Sequence, residues 1–161
     1  AMNNELNLDD TVTYKASDKQ YASAEMKNYK VGDKVSLRNL VKYAITVSDN
    51  TAHSILVDYI GFQTLKNYGK SLGATSTLVG GDNFGTMNVH DAIIYITKLD
   101  ELINKDVTLG SELQSYFVNS DQNYLNFPEE NIQAAQKYGQ YEIYYHENGI
   151  VYTPNKYYVA F

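Results

Sequence analysis

Residues 35–56 decide the fold, and they read Val35-Ser-Leu-Arg-Asn-Leu-Val-Lys-Tyr-Ala-Ile-Thr-Val-Ser-Asp-Asn-Thr-Ala-His-Ser-Ile-Leu56. Apolar residues recur at helical spacing up to the polar triplet Ser48-Asp49-Asn50, and a second helical pattern starts directly after it. Two helices that meet at this turn present a hydroxyl and an amide at a fixed place. Ser, Asp and Asn are also common helix caps, because their side chains bond nearby backbone groups. The triplet alone is therefore compatible with a cap or with a functional site.

The composition narrows the classes of protein that the chain can belong to. Its 161 residues predict one domain or part of a larger one, and an apolar share of 43% is enough for a sizeable core. No apolar run approaches the roughly 18 residues of a membrane span. A net charge of −6 with scattered basic residues argues against a nucleic-acid partner. The absence of cysteine excludes disulfides and thiolate chemistry.

The periodicity beyond the turn predicts an α+β fold. Helices are expected at Phe62–Leu72, Val89–Ile103 and Leu109–Val118, and only Leu6–Tyr14 looks ordered before residue 34. The apolar residues expected on the inner face of the helix at Val89–Ile103 are Ala92, Ile93, Ile96, Leu99 and Leu102. After Asn131 the pattern changes to three antiparallel strands, the last at Lys156–Phe161. The prediction is a single partial domain at 3–161, with about five helices in a helical lobe at 3–130 and a three-stranded sheet at 131–161.

The stretch from Leu40 to Gly61 resembles the second motif of the penicillin-recognising serine enzymes, the class A β-lactamases and D-Ala-D-Ala peptidases. The similarity continues through Leu65–Gly73 and Thr86–Ala92 and, more weakly, through Lys137-Tyr138-Gly139 and the segment from Gly149 to Pro154. It therefore spans about Leu6 to Phe161. It implies a β-lactamase/transpeptidase-like fold and acyl transfer or hydrolysis on D-Ala-D-Ala peptides or β-lactams.

The resemblance also implies roles for individual residues. Ser48 would relay a proton to the leaving nitrogen, and Asn50 would bind the substrate amide. Lys137 would be the cation on the side of the substrate carboxylate. Tyr138 and Gly139 would complete that strand motif, and the backbone N–H of Gln140 would be one oxyanion donor.

Two parts of the family pattern are missing or changed. No Ser lies three residues before any Lys, so the nucleophile motif Ser-x-x-Lys is absent, and the only Thr in that position is Thr153, before Lys156. We expect truncation of the sequence rather than substitution to explain this, since both ends look cut. Tyr138 stands where the family has Thr or Ser, and its ring is expected to occupy the space that a substrate carboxylate would use.

A third departure lies in the loop at Leu78–Met87, which contains Asp82 but not the Glu that activates water in the family's β-lactamases. This departure makes the sequence more similar to a peptidase or penicillin binder than to an efficient β-lactamase. Because Ser-x-x-Lys is missing and Lys-Thr-Gly reads Lys137-Tyr138-Gly139, the chain as given is predicted to be catalytically inactive, although its status as an enzyme stays open. The alternative is a non-catalytic relative that binds a peptidoglycan stem peptide or a protein partner. Both alternatives predict an extracytoplasmic location by resemblance.

The remaining candidates have simpler interpretations. His53 is expected to pack or cap, and His90 with Asp91 is expected to start a helix. His146 and Glu147 alternate on a strand and should face opposite sides, so no metal site is predicted there, and no cofactor is predicted for the chain. Six tyrosines are expected to fill or cover the sheet rather than to stack on a sugar or peptide: Tyr141, Tyr144, Tyr145, Tyr152, Tyr157 and Tyr158. Tyr138 is the exception, because it lies in the strand motif. Because truncation would expose core surface of Val89–Ile103 and one sheet edge, self-association is also expected.

Overall fold

A computed structural model describes residues 6–76, 84–128 and 131–161 of the chain. Its helices are α1 Leu37–Thr46, α2 Asn50–Ile60, α3 Phe62–Ser71, α4 Val89–Lys105 and α5 Val107–Val118. Its strands are β1 Thr11–Thr13, β2 Lys34–Ser36, β3 Gln133–Tyr141, β4 Tyr144–Tyr152 and β5 Tyr157–Ala160. The predicted α+β fold is confirmed, since helices precede an antiparallel sheet in the order β3-β4-β5.

Local capping sets the first two helices. The hydroxyl of Ser36 accepts the backbone N–H of Asn39 at 3.2 Å and begins α1. Asp49 caps α2 in the same way, through the N–H of Ala52 at 2.9 Å. Gly61 ends α2 with φ +92°, a conformation that glycine adopts without steric cost. The two helices therefore meet at the predicted turn.

Two apolar clusters form the core of the described residues. One joins α1 and α2 to the N-terminal segment, where Met26, Val35 and Leu40 are buried. The other packs α4 against the sheet through Ile96, Ile103, Ala135 and Ile150, with α5 beside them. The helical lobe and the sheet thus share the second cluster.

The N-terminal segment is more ordered than the sequence predicts. β1 pairs with β2 in antiparallel register, Val12 opposite Val35. Between them lie two short 3₁₀ turns, at Ala16–Asp18 and Met26–Asn28. The prediction of order only at Leu6–Tyr14 was wrong, because three-residue strands that lie 20 residues apart carry no periodic signal of their own.

The boundaries and inner face of the later helices also differ from prediction. α5 begins at Val107 rather than Leu109, because Asp106 caps it by accepting the N–H groups of Thr108 and Leu109. On α4, Leu102 is 37% exposed, whereas Ile103 is buried at 8%. The helix therefore turns a slightly different face to the sheet than the pattern suggested.

The sheet is a meander whose first hairpin turns at Glu142 and Ile143. Tyr141 is opposite Tyr144, and Glu142 has φ +53°. Tyr141, Tyr144 and Tyr145 near this turn are exposed at 72%, 66% and 60%, so they do not cover the sheet as expected. In the described part of the chain, no helix has the length and apolar character needed to cross a membrane.

Candidate functional site

Ser48 lies in the turn between α1 and α2 in a left-handed backbone conformation, with φ +53°. Residues other than glycine adopt this conformation rarely, and such positions cluster at functional sites. The neighbouring residue holds it in place, since the backbone N–H of Asp49 donates to the carbonyl of Tyr43 at 3.1 Å. The turn is thus fixed to the last part of α1.

Asp49 is fully buried and anchors the turn to the N-terminal segment. Besides the N–H of Ala52, its carboxylate accepts the backbone N–H groups of Glu25 at 2.8 Å and Met26 at 2.9 Å. A buried carboxylate is stable only when its oxygens accept hydrogen bonds. Asp49 is therefore the structural member of the triplet, and Ser48 and Asn50 flank it.

Lys137 on β3 brings the sheet to this turn. Its Nζ donates to the hydroxyl of Ser48 and, at 2.9 Å, to the carbonyl of Tyr138. The structure therefore places Ser48 and Lys137 together, although 89 positions separate them in the sequence. A hydroxyl that accepts a hydrogen bond from an ammonium group can donate its own proton elsewhere.

The ammonium group of Lys137 is partly desolvated. Burial lowers its pKa to about 8, and the carboxylates of Glu147 and Asp121 oppose that change. A lysine with a pKa in this range can hold or release a proton near neutral pH. This is a property of the pair with Ser48 that the sequence did not reveal.

Asn50 contacts a neighbouring loop in the free chain. Its Nδ2 donates to the carbonyl of Tyr21 at 2.9 Å, and its backbone N–H donates to the carbonyl of Ala22 at 3.3 Å. Ala22 also has a positive φ of +58°. The predicted contact of Asn50 with a substrate amide stays a prediction.

Tyr138 and Gln140 direct their backbone groups away from the sheet. Glu147, opposite Tyr138, exchanges both of its backbone hydrogen bonds with Phe161, so it cannot bond Tyr138. Every second residue of β3 has the same orientation, which includes Gln140 opposite Tyr145. The N–H of Gln140 therefore points to the outer edge of β3, and its predicted role as an oxyanion donor stays a prediction.

Gly139 makes room for a neighbouring ring. A Cβ at this position would lie 2.1 Å from Nε2 of His146, the residue opposite it on β4. Burial and the charge of Lys137 lower the pKa of His146. The ring of His146 thus occupies the space that a side chain at position 139 would use.

The remaining candidates do not form a nucleophile. Thr153 and Lys156 lie in the turn between β4 and β5, and Lys156 pairs with Asp100 at 2.8 Å. His53 stacks on Phe84, with ring centroids 5.1 Å apart. Residues 78–83 of the Leu78–Met87 loop, including Asp82, lie outside the described residues.

Two side chains near Lys137 were not predicted as part of the site. Glu147 is fully buried opposite Tyr138, and the ring of Tyr124 packs edge-on against Tyr138 at 5.9 Å. Alternation on β4 indicates only that His146 and Glu147 face opposite sides. A glutamate among polar residues carries no signal of burial, so sequence reasoning could not find it.

Comparisons with known proteins agree with this architecture. The sequence model of the β-lactamase enzyme family matches residues 1–161 of this chain. No curated protein matches the chain significantly.

Solved structures with the same fold are distant in sequence. A β-lactamase from Sphaerobacter thermophilus is 22% identical with a TM-score of 0.82, and the alignment covers 97% of this chain and 65% of that protein. An acyl-enzyme complex of a PBP-A mutant with penicillin G is 19% identical with a TM-score of 0.85, and the alignment covers 98% of this chain and 63% of that protein. A class A β-lactamase representative from Bacteroides cellulosilyticus is 22% identical with a TM-score of 0.76, covering 96% and 65%. The chain thus spans less than two thirds of the length of each.

Proposed function

The chain belongs to the β-lactamase enzyme family, and on that premise we propose that it carries the proton-relay and carboxylate-recognition part of an acyl-transfer site. The ligands of such a site are D-Ala-D-Ala peptides or β-lactams. The hydrogen bond from Lys137 to Ser48 is the observation that carries the proposal. It joins the two residues whose family roles require them to act on one ligand.

In this site Ser48 passes its hydroxyl proton to a leaving nitrogen, and the ammonium group of Lys137, which donates to the same oxygen, supplies the proton that restores the hydroxyl. Lys137 also supplies the positive charge that attracts a substrate carboxylate. The outward N–H of Gln140 donates to the developing oxyanion, and Asn50 binds the substrate amide. Tyr138 and Gly139 form the strand beside which the ligand lies.

We infer that the 161-residue chain does not form an acyl-enzyme, because its sequence contains no Ser-x-x-Lys. Incubation with a fluorescent penicillin should therefore leave the intact mass unchanged. Covalent labelling at any Ser would contradict the inference. An active site of this family would also need a nucleophilic serine, and this sequence supplies none in a Ser-x-x-Lys motif.

Ligand recognition is tested separately by NMR titration with a D-Ala-D-Ala peptide. The resonances of Ser48 and Lys137 should shift, and Lys137→Met should reduce the affinity at least tenfold. Lys34→Met is the matched control, since Lys34 is an exposed lysine on β2. If neither resonance shifts at millimolar peptide, the recognition proposal fails.

A second candidate function is non-catalytic binding of a peptidoglycan stem peptide, which Tyr138 favours. Its carbonyl accepts a hydrogen bond from Lys137, and its ring lies 4.6 Å from the ammonium group. The carbonyl contact would be available with any residue at this position, but the ring contact is one that a threonine or serine could not make. Tighter binding of a full stem peptide than of penicillin would support this function, and the reverse order would oppose it.

Two further proposals follow from family membership and the open sheet. We propose an extracytoplasmic location for the protein. We also propose self-association through the edge of β3 and the exposed side chains at the hairpin, Tyr141, Ile143 and Tyr144. Light scattering should then show a mass that increases with concentration, whereas a constant monomer mass would contradict it.

A further inference from the structure

Glu147 is a buried acid without a full set of hydrogen bonds. It is 0% exposed, and its Oε2 accepts the backbone N–H of Tyr124 at 2.9 Å. Its Oε1 has no hydrogen-bond partner among the described residues. Asp49 and Asp91, which are also fully buried, each accept three or more hydrogen bonds. A buried carboxyl that is this poorly bonded costs folding free energy, so a role beyond stability is expected.

A series of contacts leads from Glu147 to the candidate site. Glu147 fixes the backbone of Tyr124, and the ring of Tyr124 packs edge-on against the ring of Tyr138 at 82°. The ring of Tyr138 lies 4.6 Å from Nζ of Lys137, and its carbonyl accepts a hydrogen bond from the same atom. Lys137 then donates to Ser48. Each step is a direct contact between described residues.

The charge of Glu147 also acts on Lys137. Glu147 and Asp121 favour the charged form of Lys137, which burial disfavours, and the pKa of His146 is lowered by burial and by Lys137. Burial raises the pKa of Glu147, and the N–H of Tyr124 and the charge of Lys137 oppose that increase. The acid and the lysine therefore stabilise each other's charged forms.

We propose that Glu147 is a positioning residue that acts through Tyr124 and Tyr138 to hold Lys137 against Ser48. Its carboxylate fixes Tyr124, Tyr124 fixes the ring of Tyr138, and that ring with its carbonyl orients the ammonium group. This deepens the proposed function, because Lys137 and Ser48 are the pair on which that function rests. The residue does not touch the ligand.

NMR titration of Lys137 in the free chain tests the proposal, with Glu147→Gln, Glu147→Leu and the control Glu142→Gln. Glu147→Gln removes the charge but keeps an oxygen for the N–H of Tyr124. It should lower the pKa of Lys137 by roughly 0.5–1 pH unit while the ring signals of Tyr124 and Tyr138 stay in place. Glu142 is exposed at the hairpin, so its substitution should change neither.

Glu147→Leu should lower the pKa of Lys137 and also move the ring signals of Tyr124 and Tyr138. Unchanged ring signals in this variant would overturn the route through the two tyrosines. An unchanged Lys137 pKa in Glu147→Gln would overturn the electrostatic part. If Glu147→Leu does not fold, Tyr124→Leu tests the same route, since it keeps the acid and should release the ring of Tyr138. These NMR measurements need no ligand, so their outcome is independent of whether the chain binds the ligands of the proposed function.

Discussion

Lys137 on β3 donates a hydrogen bond to the hydroxyl of Ser48 in the turn between α1 and α2. The contact joins the sheet to the helical lobe at a residue whose backbone is left-handed. A contact that bridges two structural units depends on the geometry of both. Substitutions in either unit should therefore change the pair, and several can be tested by stability alone.

Lys137→Met should change how stability depends on pH. Burial lowers the pKa of Lys137 in the folded chain to about 8 from an ordinary 10.5. Between these values the unfolded chain binds more protons than the folded chain, so stability rises with pH across that interval. Relative to Lys137→Met, the wild type should gain roughly 1–2 kcal/mol between about pH 7.5 and 9.5 in urea unfolding. Parallel pH curves for the two proteins would contradict the lowered pKa.

Helical periodicity and capping chemistry were sufficient to predict much of this fold. Ser36 and Asn88 accept N–H groups three residues later, and both helices begin where the sequence indicates. These signals are local, so a single sequence contains them. Ser48 and Lys137 were assigned to one site only through family resemblance. Their direct hydrogen bond was not predicted, since no local rule joins residues that far apart.

The features that the sequence did not predict either lack a local sequence signal or depend on burial in the tertiary structure. The turn at Glu142 and Ile143 lacks the Gly or Asn that usually marks a two-residue hairpin. Glu147 and Asp100 look like surface acids in sequence but are buried by the segments that pack over them. Their partners, Tyr124 and Lys156, come from distant segments, so no spacing rule relates them.

Asp49→Ala should destabilise the chain more than an ordinary cap deletion. The substitution removes the acceptor for the N–H groups of Glu25, Met26 and Ala52, all near or within the buried core. Loss of a cap costs about 1 kcal/mol, and each buried N–H left unpaired adds about 1–3 kcal/mol. Urea unfolding should show a loss of roughly 3–7 kcal/mol, from the cap and the N–H groups of Glu25 and Met26.

Asp106→Ala is the matched control for that variant. Asp106 caps α5 only through N–H groups of its own helix. Its loss should cost about 1 kcal/mol. Equal losses for the two variants would show that the contacts of Asp49 to the N-terminal segment contribute little.

Asp100 on α4 ties that helix to the β5 end of the sheet. Its carboxylate accepts Lys156 Nζ at 2.8 Å and the hydroxyl of Tyr158 at 2.8 Å. Burial would raise the pKa of Asp100, but these bonds hold it below its usual value. The stability that Asp100 contributes is therefore present above an ordinary pKa of 3.8 and is lost as pH falls through the folded value.

Asp100→Asn should cost about 2–3 kcal/mol at neutral pH, and its difference from wild type should shrink below about pH 4. Tyr158→Phe should cost about 1 kcal/mol, because it removes one hydrogen bond and keeps the ion pair. Glu101→Gln should be nearly neutral, since the pair of Glu101 with Lys98 is exposed. A pH-independent difference between wild type and Asp100→Asn would refute the lowered pKa.

Gly110→Ala should destabilise the contact between α4 and α5, although alanine favours helices. The two helices are joined by Asp106 alone, so α5 turns back closely against the end of α4. A Cβ on Gly110 would lie 1.9 Å from the carbonyl oxygen of Ile103, a backbone atom that cannot move aside without shifting α4. The gain in helix propensity is about 1 kcal/mol, and the overlap should exceed it to give a net loss of roughly 1–3 kcal/mol. Ser111→Ala is the control, because it adds an alanine at the exposed neighbouring position without the overlap. It should be neutral or slightly stabilising. Thermal unfolding of the two variants side by side separates helix propensity from packing. A Gly110→Ala variant as stable as Ser111→Ala would refute the close approach of the two backbones.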